Sequence, residues 1–144
     1  MKYRLFRVIA CTVLFMALTA AYSRAASYAP DQLNITGTWH GTFYYDDTAR
    51  KGESGTFTVT MVQDGSKVSG GITEPNTFGP ANLTTLTSTF SGTFDPDSGQ
   101  INFTKTYDYD HHEVSYRGMF ESSGREAAGR WHIGDYAGTW GMRR

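Results

Sequence analysis

Through most of residues 35–142, apolar side chains occupy every second position and polar side chains lie between them. The first such stretch, residues 35–45, carries Ile35, Trp39 and Phe43 at odd positions, and threonine occupies three of the even ones. Because successive side chains of a β-strand point to opposite faces, this period of two predicts a strand with one apolar face. No window of residues 27–144 shows the apolar stripe of an amphipathic helix. The pattern therefore predicts an all-β chain.

Turn-forming residues divide the alternating sequence into short segments, as at residues 64–65, 96–99 and 122–124. The predicted strands are residues 35–45, 56–62, 68–74, 83–95, 101–107, 114–120, 126–133 and 136–142. Connections of hairpin length make neighbouring strands antiparallel. Eight such strands in sequence close into an eight-stranded antiparallel up-and-down β-barrel, which leaves no exposed strand edge.

A Gly-Thr-aromatic triplet recurs at residues 37–39, 55–57, 92–94 and 138–140. Glycine opposite a bulky ring relieves crowding inside a narrow barrel, and threonine suits the outer face of a strand. We therefore interpret the triplet as repeated strand chemistry.

The first 26 residues have the order of segments found in secretory signal peptides. Lys2, Arg4 and Arg7 form a basic start, residues 8–21 are uncharged and apolar, and small residues follow. We predict that residues 1–26 are a signal peptide and that residues 27–144 form a single domain. The protein is then expected to be secreted or periplasmic, with no integral membrane segment, since the apolar run is short for a membrane span.

Removal of this segment changes the charge and the cysteine content. Lys2, Arg4, Arg7 and Arg24 leave with it, so 9 of the 13 basic side chains remain against 14 acidic ones, a net charge of −5. An acidic surface argues against nucleic acid as a partner. Cys11 is the only cysteine and lies in the removed segment, which excludes disulfides and thiol catalysis from the mature domain.

Several short segments resemble the calycins, the superfamily of lipocalins, fatty-acid-binding proteins and avidins, and most closely the avidin/streptavidin family. They are Ile-Thr-Gly-Thr-Trp at residues 35–39, the Thr-Phe-Thr-Val-Thr strand and Asp-Gly turn within 56–65, residues 103–120 with Tyr107, His111, Tyr116 and Gly118, and Gly-Arg-Trp at 129–131. The resemblance implies the same barrel scaffold. It also implies that Trp39 closes one barrel end against a late arginine. Arg130, Arg143 and Arg144 are available, and Arg143 is the expected partner because it lies nearest the end of the last strand.

The resemblance does not extend to the biotin contacts of that family. Gly41, Ile72, Glu74, His112 and Val114 stand where the family places asparagine, tyrosine, serine, serine and threonine. A polar ligand whose hydrogen-bond partners are missing loses most of its affinity. The sequence therefore predicts a similar scaffold with a ligand other than biotin.

The inward face of the predicted barrel is rich in aromatic side chains, and two interpretations of it stay open. A set of rings at a period of two forms either a filled core or the walls of a ligand pocket. The expected inward rings are Trp39, Phe43, Phe57, Phe90, Phe94, Phe103, Tyr116, Trp131 and Trp140.

Two charged residues share the parity of the inward face. Lys105 follows Ile101 and Phe103 at spacings of two, and Glu74 follows Ile72 in the same way. A lysine inside an apolar barrel must be paired or have a lowered pKa; the alternative is that both side chains reach water at strand ends. If they are inside, they anchor a ligand site at one barrel mouth, and the residues expected there are Tyr45, Glu74, Lys105, Tyr107, Tyr116 and Trp131.

The polar loop at residues 108–113 contains three carboxylates and two histidines in sequence. It could hold a transition metal, but its spacing matches no closed metal site, and a solvated hairpin loop is the favoured interpretation. The chain carries no motif of a nucleophile elbow, a zinc protease or a phosphate-binding loop. We expect no cofactor and no enzymatic activity.

Two classes of function remain for such a barrel. The leading hypothesis is a secreted or periplasmic protein that binds a small, partly apolar ligand at one mouth. The alternative is a protein-binding barrel, such as an inhibitor or a structural oligomer, with a filled interior and a working outer face that includes Tyr44, Tyr109 and Val62.

Overall fold

A computed structural model describes residues 33–46 and 49–144, and the predicted signal peptide, residues 1–26, lies outside the described residues. The described chain forms eight β-strands and no helix. They are β1 (Gly37–Tyr45), β2 (Ser54–Asp64), β3 (Lys67–Pro75), β4 (Thr85–Phe94), β5 (Gln100–Tyr107), β6 (Glu113–Phe120), β7 (Glu126–Ile133) and β8 (Tyr136–Arg143).

Each strand pairs antiparallel with the next one along the chain, and β1 pairs with β8 to close the barrel. The predicted eight-stranded antiparallel up-and-down β-barrel is confirmed, and its architecture is consistent with a calycin-like fold. Closure gives every strand two neighbours, so no edge is left for pairing with another chain. Across residues 33–46 and 49–144 no helix is long and apolar enough to cross a membrane.

The alternation of the sequence is reproduced in the burial of the strands. On β5, for example, Ile101, Phe103, Lys105 and Tyr107 are buried and the residues between them are half-exposed. The core contains eight of the nine expected rings together with aliphatic side chains, and the ninth ring, Tyr116, is partly buried against it. Hydroxyl side chains cover much of the outer wall, especially threonines on β2 and β4.

Glycines make room for the rings inside the barrel. Gly41 lies opposite Phe57 in the β1–β2 register, and a Cβ at position 41 would come within 2.2 Å of the Phe57 ring. Gly55 lies opposite Phe43, and a Cβ there would come within 2.4 Å of that ring. These two glycines therefore leave room for the facing rings, as the sequence predicts.

One end of the barrel, which we call the closed end, is filled by the segment before β1 and by core rings. Trp39 is fully buried, donates from Nε1 to the carbonyl oxygen of Ile35 (2.9 Å) and packs edge-on against Phe120 (5.1 Å between centroids). Ile35 is itself fully buried, and its N–H donates to the Gln63 side chain (2.9 Å). Trp39 thus closes this end.

The arginine over Trp39 is Arg144, so the expectation that Arg143 takes this place is wrong. The Arg144 guanidinium carbon lies 4.7 Å from the centre of the Trp39 ring system, and its nitrogens donate to the carbonyl oxygens of Thr36 and Asn34. Arg143 is exposed and lies opposite His40 on the outer wall. The reason is strand parity: Met142 points inward, so Arg143 points outward and Arg144 turns back over the barrel end.

The opposite end, which we call the mouth, carries the β1–β2 connection, described at residues 46 and 49–53, and the connections at residues 76–84, 108–112 and 134–135. In an up-and-down barrel every second connection lies at the same end, so these four loops meet around one opening. The ends of β1, β3, β5 and β7 lie there too, and with them Tyr45, Glu74, Tyr107 and Ile133.

Candidate functional site

A partly enclosed cavity of about 220 Å³ lies at the mouth. We call it the mouth cavity. Its described walls are mostly aromatic and carry one formally charged side chain. The lining residues are Phe43, Tyr45, Arg50, Phe78, Tyr107, His112, Val114, Trp131, Ile133 and Tyr136.

Asn76 shapes the loop that brings Phe78 to the cavity. Its amide nitrogen donates to the carbonyl oxygens of Pro80 (2.8 Å) and Leu83 (2.7 Å), and its Oδ1 accepts from the N–H groups of Phe78 and Gly79. One side chain therefore satisfies four backbone groups of a nine-residue connection. The fixed loop sets the Phe78 ring edge-on against Tyr107, with centroids 5.7 Å apart.

Arg50 reaches the cavity from the β1–β2 connection. Its guanidinium carbon lies 3.9 Å from the centroid of the Tyr45 ring, and Nη1 donates to the Tyr45 hydroxyl (2.8 Å). Nε and Nη2 donate to one carboxylate oxygen of Glu53, at 2.9 and 2.7 Å. The arginine is thus held in place by a ring on one side and by a carboxylate near solvent on the other.

Tyr45 also packs against the wall formed by β7. Its ring lies edge-on to Trp131 (4.8 Å between centroids), and Phe43 meets the same indole at 6.4 Å. Trp131 Nε1 donates to the backbone carbonyl of Tyr44 (3.2 Å), which satisfies the only polar atom of the indole. The apolar face of this wall is therefore fixed by strand geometry and by one hydrogen bond.

The β5–β6 connection supplies His112. Its ring lies 4.3 Å from the Tyr107 ring, and Nδ1 lies 2.6 Å from Asp110 Oδ1. Desolvation alone would raise the pKa of Asp110, but hydrogen bonds from the backbone N–H and the ring of His112 outweigh it and hold the pKa below its usual range. His111 precedes it with φ of 61°, a left-handed conformation that turns the loop.

A buried polar cluster lies behind the cavity wall. We call Glu74, Lys105 and Tyr107 the buried triad, with exposed fractions of 3%, 1% and 4%. Lys105 Nζ donates to Glu74 Oε2 (2.9 Å) and to the Tyr107 hydroxyl (2.7 Å), and that hydroxyl donates to Glu74 Oε1. The two charges meet across the interior, as the parity of their strands predicts. The alternative that both side chains reach water at the strand ends is excluded by their burial.

The sequence of β4 allows this contact between strands that are not neighbours. β4 runs between β3 and β5, and its inward Ser88 is paired with Ile72 on one side and Tyr107 on the other. Ser88 is buried, and its hydroxyl lies 3.4 Å from the Ile72 carbonyl oxygen. A short side chain at this position leaves space for Glu74 to reach over β4.

Burial has the largest effect on the pKa values of Lys105 and Tyr107. Desolvation lowers the pKa of the Lys105 ammonium, and the Glu74 carboxylate partly opposes that shift. Desolvation, and after it the negative charge of Glu74, raises the pKa of Tyr107. Tyr107 therefore stays protonated and donates its proton to Glu74, and the cluster holds its own charges in balance without any ligand.

The sequence-predicted site residues divide into three groups. Tyr45, Tyr107 and Trp131 line the mouth cavity. Glu74 and Lys105 do not line it, and both are hydrogen-bonded to Tyr107, which does. Tyr116 lies deeper, where its ring stacks on Phe103 with centroids 4.7 Å apart.

Sequence reasoning missed several residues of the wall, above all those on loops. Arg50, Phe78 and His112 contribute to the cavity but lie outside every strand. One signal for them was available: in an eight-strand meander the first, third, fifth and seventh connections meet at one end, which places these three residues around the same opening.

The remaining sequence hypotheses concern the metal loop and the outer wall. In the part of the chain that the structure describes, no three His, Cys, Asp or Glu side chains converge to hold a metal ion. Of the proposed outer face, Tyr44 and Val62 are about half-exposed on β1 and β2, whereas Tyr109 packs partly against Tyr107. Two wider concavities on the outer wall are lined largely by hydroxyl, glycine and charged residues.

Comparison with known proteins adds no family to this picture. No protein-family model matches the chain, and no curated protein matches it either.

Proposed function

We propose that this protein is a non-enzymatic binding module, secreted or periplasmic, that holds a small, partly apolar ligand other than biotin in the mouth cavity. The observation that carries the proposal is a partly enclosed cavity with aromatic walls at one barrel end, while the other end is closed by Trp39. Small-molecule sites are typically concave and apolar, with a few fixed polar groups, and often lie in the mouths of β-barrels.

The volume limits the ligand to about one substituted ring. An apolar protein cavity of about 150 Å³ is large enough to take up benzene, and the mouth cavity measures about 220 Å³. Drug-sized ligands occupy sites of roughly 300 Å³ or more. A single planar ring with a small polar group fits the available space.

The walls are arranged before any ligand arrives. Asn76 fixes the Phe78 loop, Trp131 is tied to the backbone of Tyr44, and Tyr107 is held by the buried triad. Fixed side chains lose little conformational entropy on binding, so more of the contact energy appears as affinity. This gives the triad a supporting role: it anchors the Tyr107 ring that faces the ligand.

Rings occupy positions deep in the barrel, which supports a ligand other than biotin. The Phe57 ring occupies the position where a side chain at residue 41 would lie, and residue 41 corresponds to the biotin-contacting asparagine in the avidin-like pattern. Phe103, Tyr116 and Trp140 fill the next layer. We propose that the avidin-like scaffold is kept and that its deep pocket is replaced by rings.

We propose no catalytic step at the mouth. Among the described residues that line the cavity there is no serine, threonine, cysteine or lysine to act as a nucleophile. His112 pairs with Asp110 and stacks on Tyr107, an arrangement that holds the ring in the wall.

Protein binding by the outer wall is the weaker alternative. Tyr44 lies at the mouth end of β1, whereas Val62 lies toward the closed end of β2, so these exposed apolar side chains do not meet in one patch. Interaction surfaces on soluble proteins are usually contiguous apolar areas.

The proposal is tested by titrating the ¹⁵N-labelled protein with a set of monocyclic aromatic compounds and following the indole N–H signals. Trp131 lines the cavity but also borders one of the outer-wall concavities, so the signals of Val114 and Ile133, which line the mouth cavity alone, are followed with it. Trp39 at the closed end serves as an internal control. We expect saturable shifts of the Trp131 signal with an unchanged Trp39 signal. Absence of any Trp131 shift across the set, or shifts confined to outer-wall residues, would refute the proposal.

A further inference from the structure

The outer wall of the barrel carries two arginines that face each other across neighbouring strands. Arg117 on β6 and Arg130 on β7 are directly opposite in the strand register, and both side chains are exposed. Opposed side chains of an antiparallel pair have Cβ atoms about 4.5–5.5 Å apart, and like charges in these positions destabilise the pair. The arrangement therefore costs stability, and folding alone does not explain it.

One nearby carboxylate balances only half of this charge. Asp46 Oδ2 lies 2.9 Å from Arg130 Nη2, and both side chains of that ion pair are exposed. Among the described residues, no carboxylate forms an ion pair with Arg117. Within β6 and β7 the nearest carboxylates are Glu113 and Glu126, each four residues from the arginine of its strand, or about 13 Å of extended chain. The two arginines together thus keep a net positive charge.

The two arginines lie in one of the concavities of the outer wall, with a volume of about 660 Å³, which we call the wall concavity. The described residues that line it include no aspartate and no glutamate. Its other polar lining residues carry hydroxyl, amide or imidazole groups, and they are Ser91, Thr93, Asn102, Thr104, Ser115, Tyr116 and His132. The volume is within the range of sites that bind small molecules.

The strand register arranges these groups in two rows that cross the strands. The first row contains both arginines and runs from β4 to β8 through Thr93, Asn102, Arg117, Arg130 and Thr139. The second row lies two residues away along the strands and contains Ser91, Thr104, Ser115 and His132. Because neighbouring strands are about 4.8 Å apart, the first row spans about 19 Å. The charge therefore lies near the middle of an extended row of hydrogen-bonding groups.

We infer that the wall concavity binds an acidic oligosaccharide, with a sugar carboxylate on Arg117 and Arg130 and the neighbouring sugar hydroxyls on the two rows. The planar guanidinium fork matches a carboxylate, and the hydrogen bonds are strengthened because both partners are charged. Hydroxyl and amide side chains both donate and accept hydrogen bonds, which suits the hydroxyl groups of sugars. The site lies on the outer wall, so the inference goes beyond the function proposed for the mouth cavity.

An acidic polypeptide is the main competitor, since it would also bring carboxylates to the arginines. Protein interfaces usually have an apolar or aromatic centre, whereas the exposed side chains that line the wall concavity are mainly hydroxyl, amide and charged groups. A membrane surface is less suitable, because lipid recognition typically uses clusters of about four to eight basic residues. The polar lining therefore favours a sugar.

Tetragalacturonate, maltotetraose and a tetraglutamate peptide provide the test. The first has both carboxylates and sugar hydroxyls, the second has only the hydroxyls, and the third has only the carboxylates. Dissociation constants would be measured from the backbone N–H shifts of Asn102 and Ser115 for the wild type, for Arg117→Gln and for Arg125→Gln. Arg125 is exposed in the β6–β7 connection and does not line the wall concavity, so it controls for the loss of one positive charge.

We expect tetragalacturonate to bind about tenfold more tightly than either of the other two compounds, in line with the strength of hydrogen bonds between charged groups. Arg117→Gln should weaken it about tenfold for the same reason, and Arg125→Gln should leave its affinity nearly unchanged. Arg117→Gln should also melt at a temperature no lower than the wild type, because it removes the contact between like charges. The signals of Val114 and Ile133, which line the mouth cavity, should not shift.

The opposite results would overturn the inference. If tetraglutamate binds as tightly as tetragalacturonate, the wall concavity recognises charge alone, and an acidic polypeptide is the better candidate. Equal binding of maltotetraose, or equal losses in Arg117→Gln and Arg125→Gln, would remove the role assigned to the arginine pair. Absence of any shift at Asn102 and Ser115 would refute the site, and a lower melting temperature of Arg117→Gln would show that this arginine serves the fold. None of these results bears on the aromatic ligand proposed for the mouth cavity.

Discussion

The ammonium of Lys105 lies under the phenol ring of Tyr107, and this ring separates it from the mouth cavity. The Nζ atom is 4.1 Å from the ring centroid and 2.7 Å from the hydroxyl oxygen. Glu74 completes the cluster from β3. A buried ion pair placed in this way contributes little net stability but becomes costly when one partner is removed.

Lys105→Met is therefore expected to destabilise the fold by about 3–5 kcal/mol, because it leaves the Glu74 carboxylate buried without its cation. The triple variant Glu74→Leu, Lys105→Met, Tyr107→Phe replaces the cluster with apolar side chains and should recover most of this loss. Urea denaturation measures both free energies of unfolding. Glu53→Gln is the matched control, since its ion pair with Arg50 is partly exposed to solvent and should be worth under about 1 kcal/mol.

A triple variant that is as unstable as Lys105→Met would contradict this account of the triad. It would mean that the interior needs the hydrogen bonds of the cluster to pack correctly. The cluster would then do more than offset the free-energy cost of burying its two charges.

Alkaline pH should destabilise the protein through the phenols of Tyr107 and Tyr116. Burial, followed by the charge of Glu74, raises the pKa of both Tyr107 and Tyr116. In the unfolded chain a tyrosine loses its proton near pH 10, so above that pH the unfolded state binds fewer protons than the folded state. The stabilising contribution is complete below about pH 10 and is lost as the pH rises toward the higher folded pKa.

The measurement compares free energies of unfolding at pH 9, 10 and 11 for the wild type and for Tyr116→Phe. The wild type should lose more stability over this range than the variant does. Lys105, whose pKa is lowered by burial, acts with the opposite sign below about pH 10.4, but it is present in both proteins and cancels from the comparison. Equal losses in the two proteins would show that the Tyr116 phenol does not resist ionisation.

The alternating pattern was sufficient to predict most of the fold. All eight strands, the barrel and the inward position of Lys105 follow from a period of two joined by short turns. The pairing of glycine with a bulky ring could also be predicted, because a narrow barrel leaves no other space for rings such as Phe57. Extended strands have one regular geometry, so their sequence determines which side chains face inward.

Loops have no such period, and there sequence reasoning failed. Nothing in the sequence around Asn76 shows that its side chain fixes four backbone groups and directs Phe78 toward Tyr107. Arg50 reaches Tyr45 from a connection whose first residue, Asp46, is bonded through its N–H to the carbonyl oxygen of Ala137, far away in sequence. The choice of Arg143 over Arg144 was a different failure, since strand parity extended by one residue already points to Arg144.

The packing of Arg144 on Trp39 at the closed end can be tested by substitution. Trp39→Ala should cost about 3–5 kcal/mol, because a fully buried indole leaves a large cavity. Arg144→Gln removes the cation above the ring and should cost about 0.5–1 kcal/mol. Arg143→Gln, an exposed change of the same kind, should stay within about 0.5 kcal/mol of the wild type. Thermal or urea unfolding measures these losses, and a larger loss for Arg143→Gln than for Arg144→Gln would indicate that Arg143 is the arginine that packs on Trp39.

Biotin should not bind tightly, and restoring one polar contact should not rescue it. Any side chain at position 41 meets the Phe57 ring and the carbonyl oxygen of Gly141, the latter at 2.6 Å. Gly41→Asn is therefore expected to lower stability without creating a biotin site. Titration calorimetry on both proteins checks this, and a submicromolar dissociation constant for either one would be incompatible with the filled interior described above.

The location of the ligand is the central claim, and intermolecular nuclear Overhauser effects measure it most directly. With a saturating monocyclic aromatic ligand, such as benzoate, ring protons should show contacts to the methyl groups of Val114 and Ile133, which line the mouth cavity. Val62 and Met119 carry exposed methyl groups on the outer wall and serve as controls. The account predicts contacts to the first pair and none to the second. Contacts to Val62 or Met119 without any to Val114 and Ile133 would place the ligand outside the barrel and contradict it.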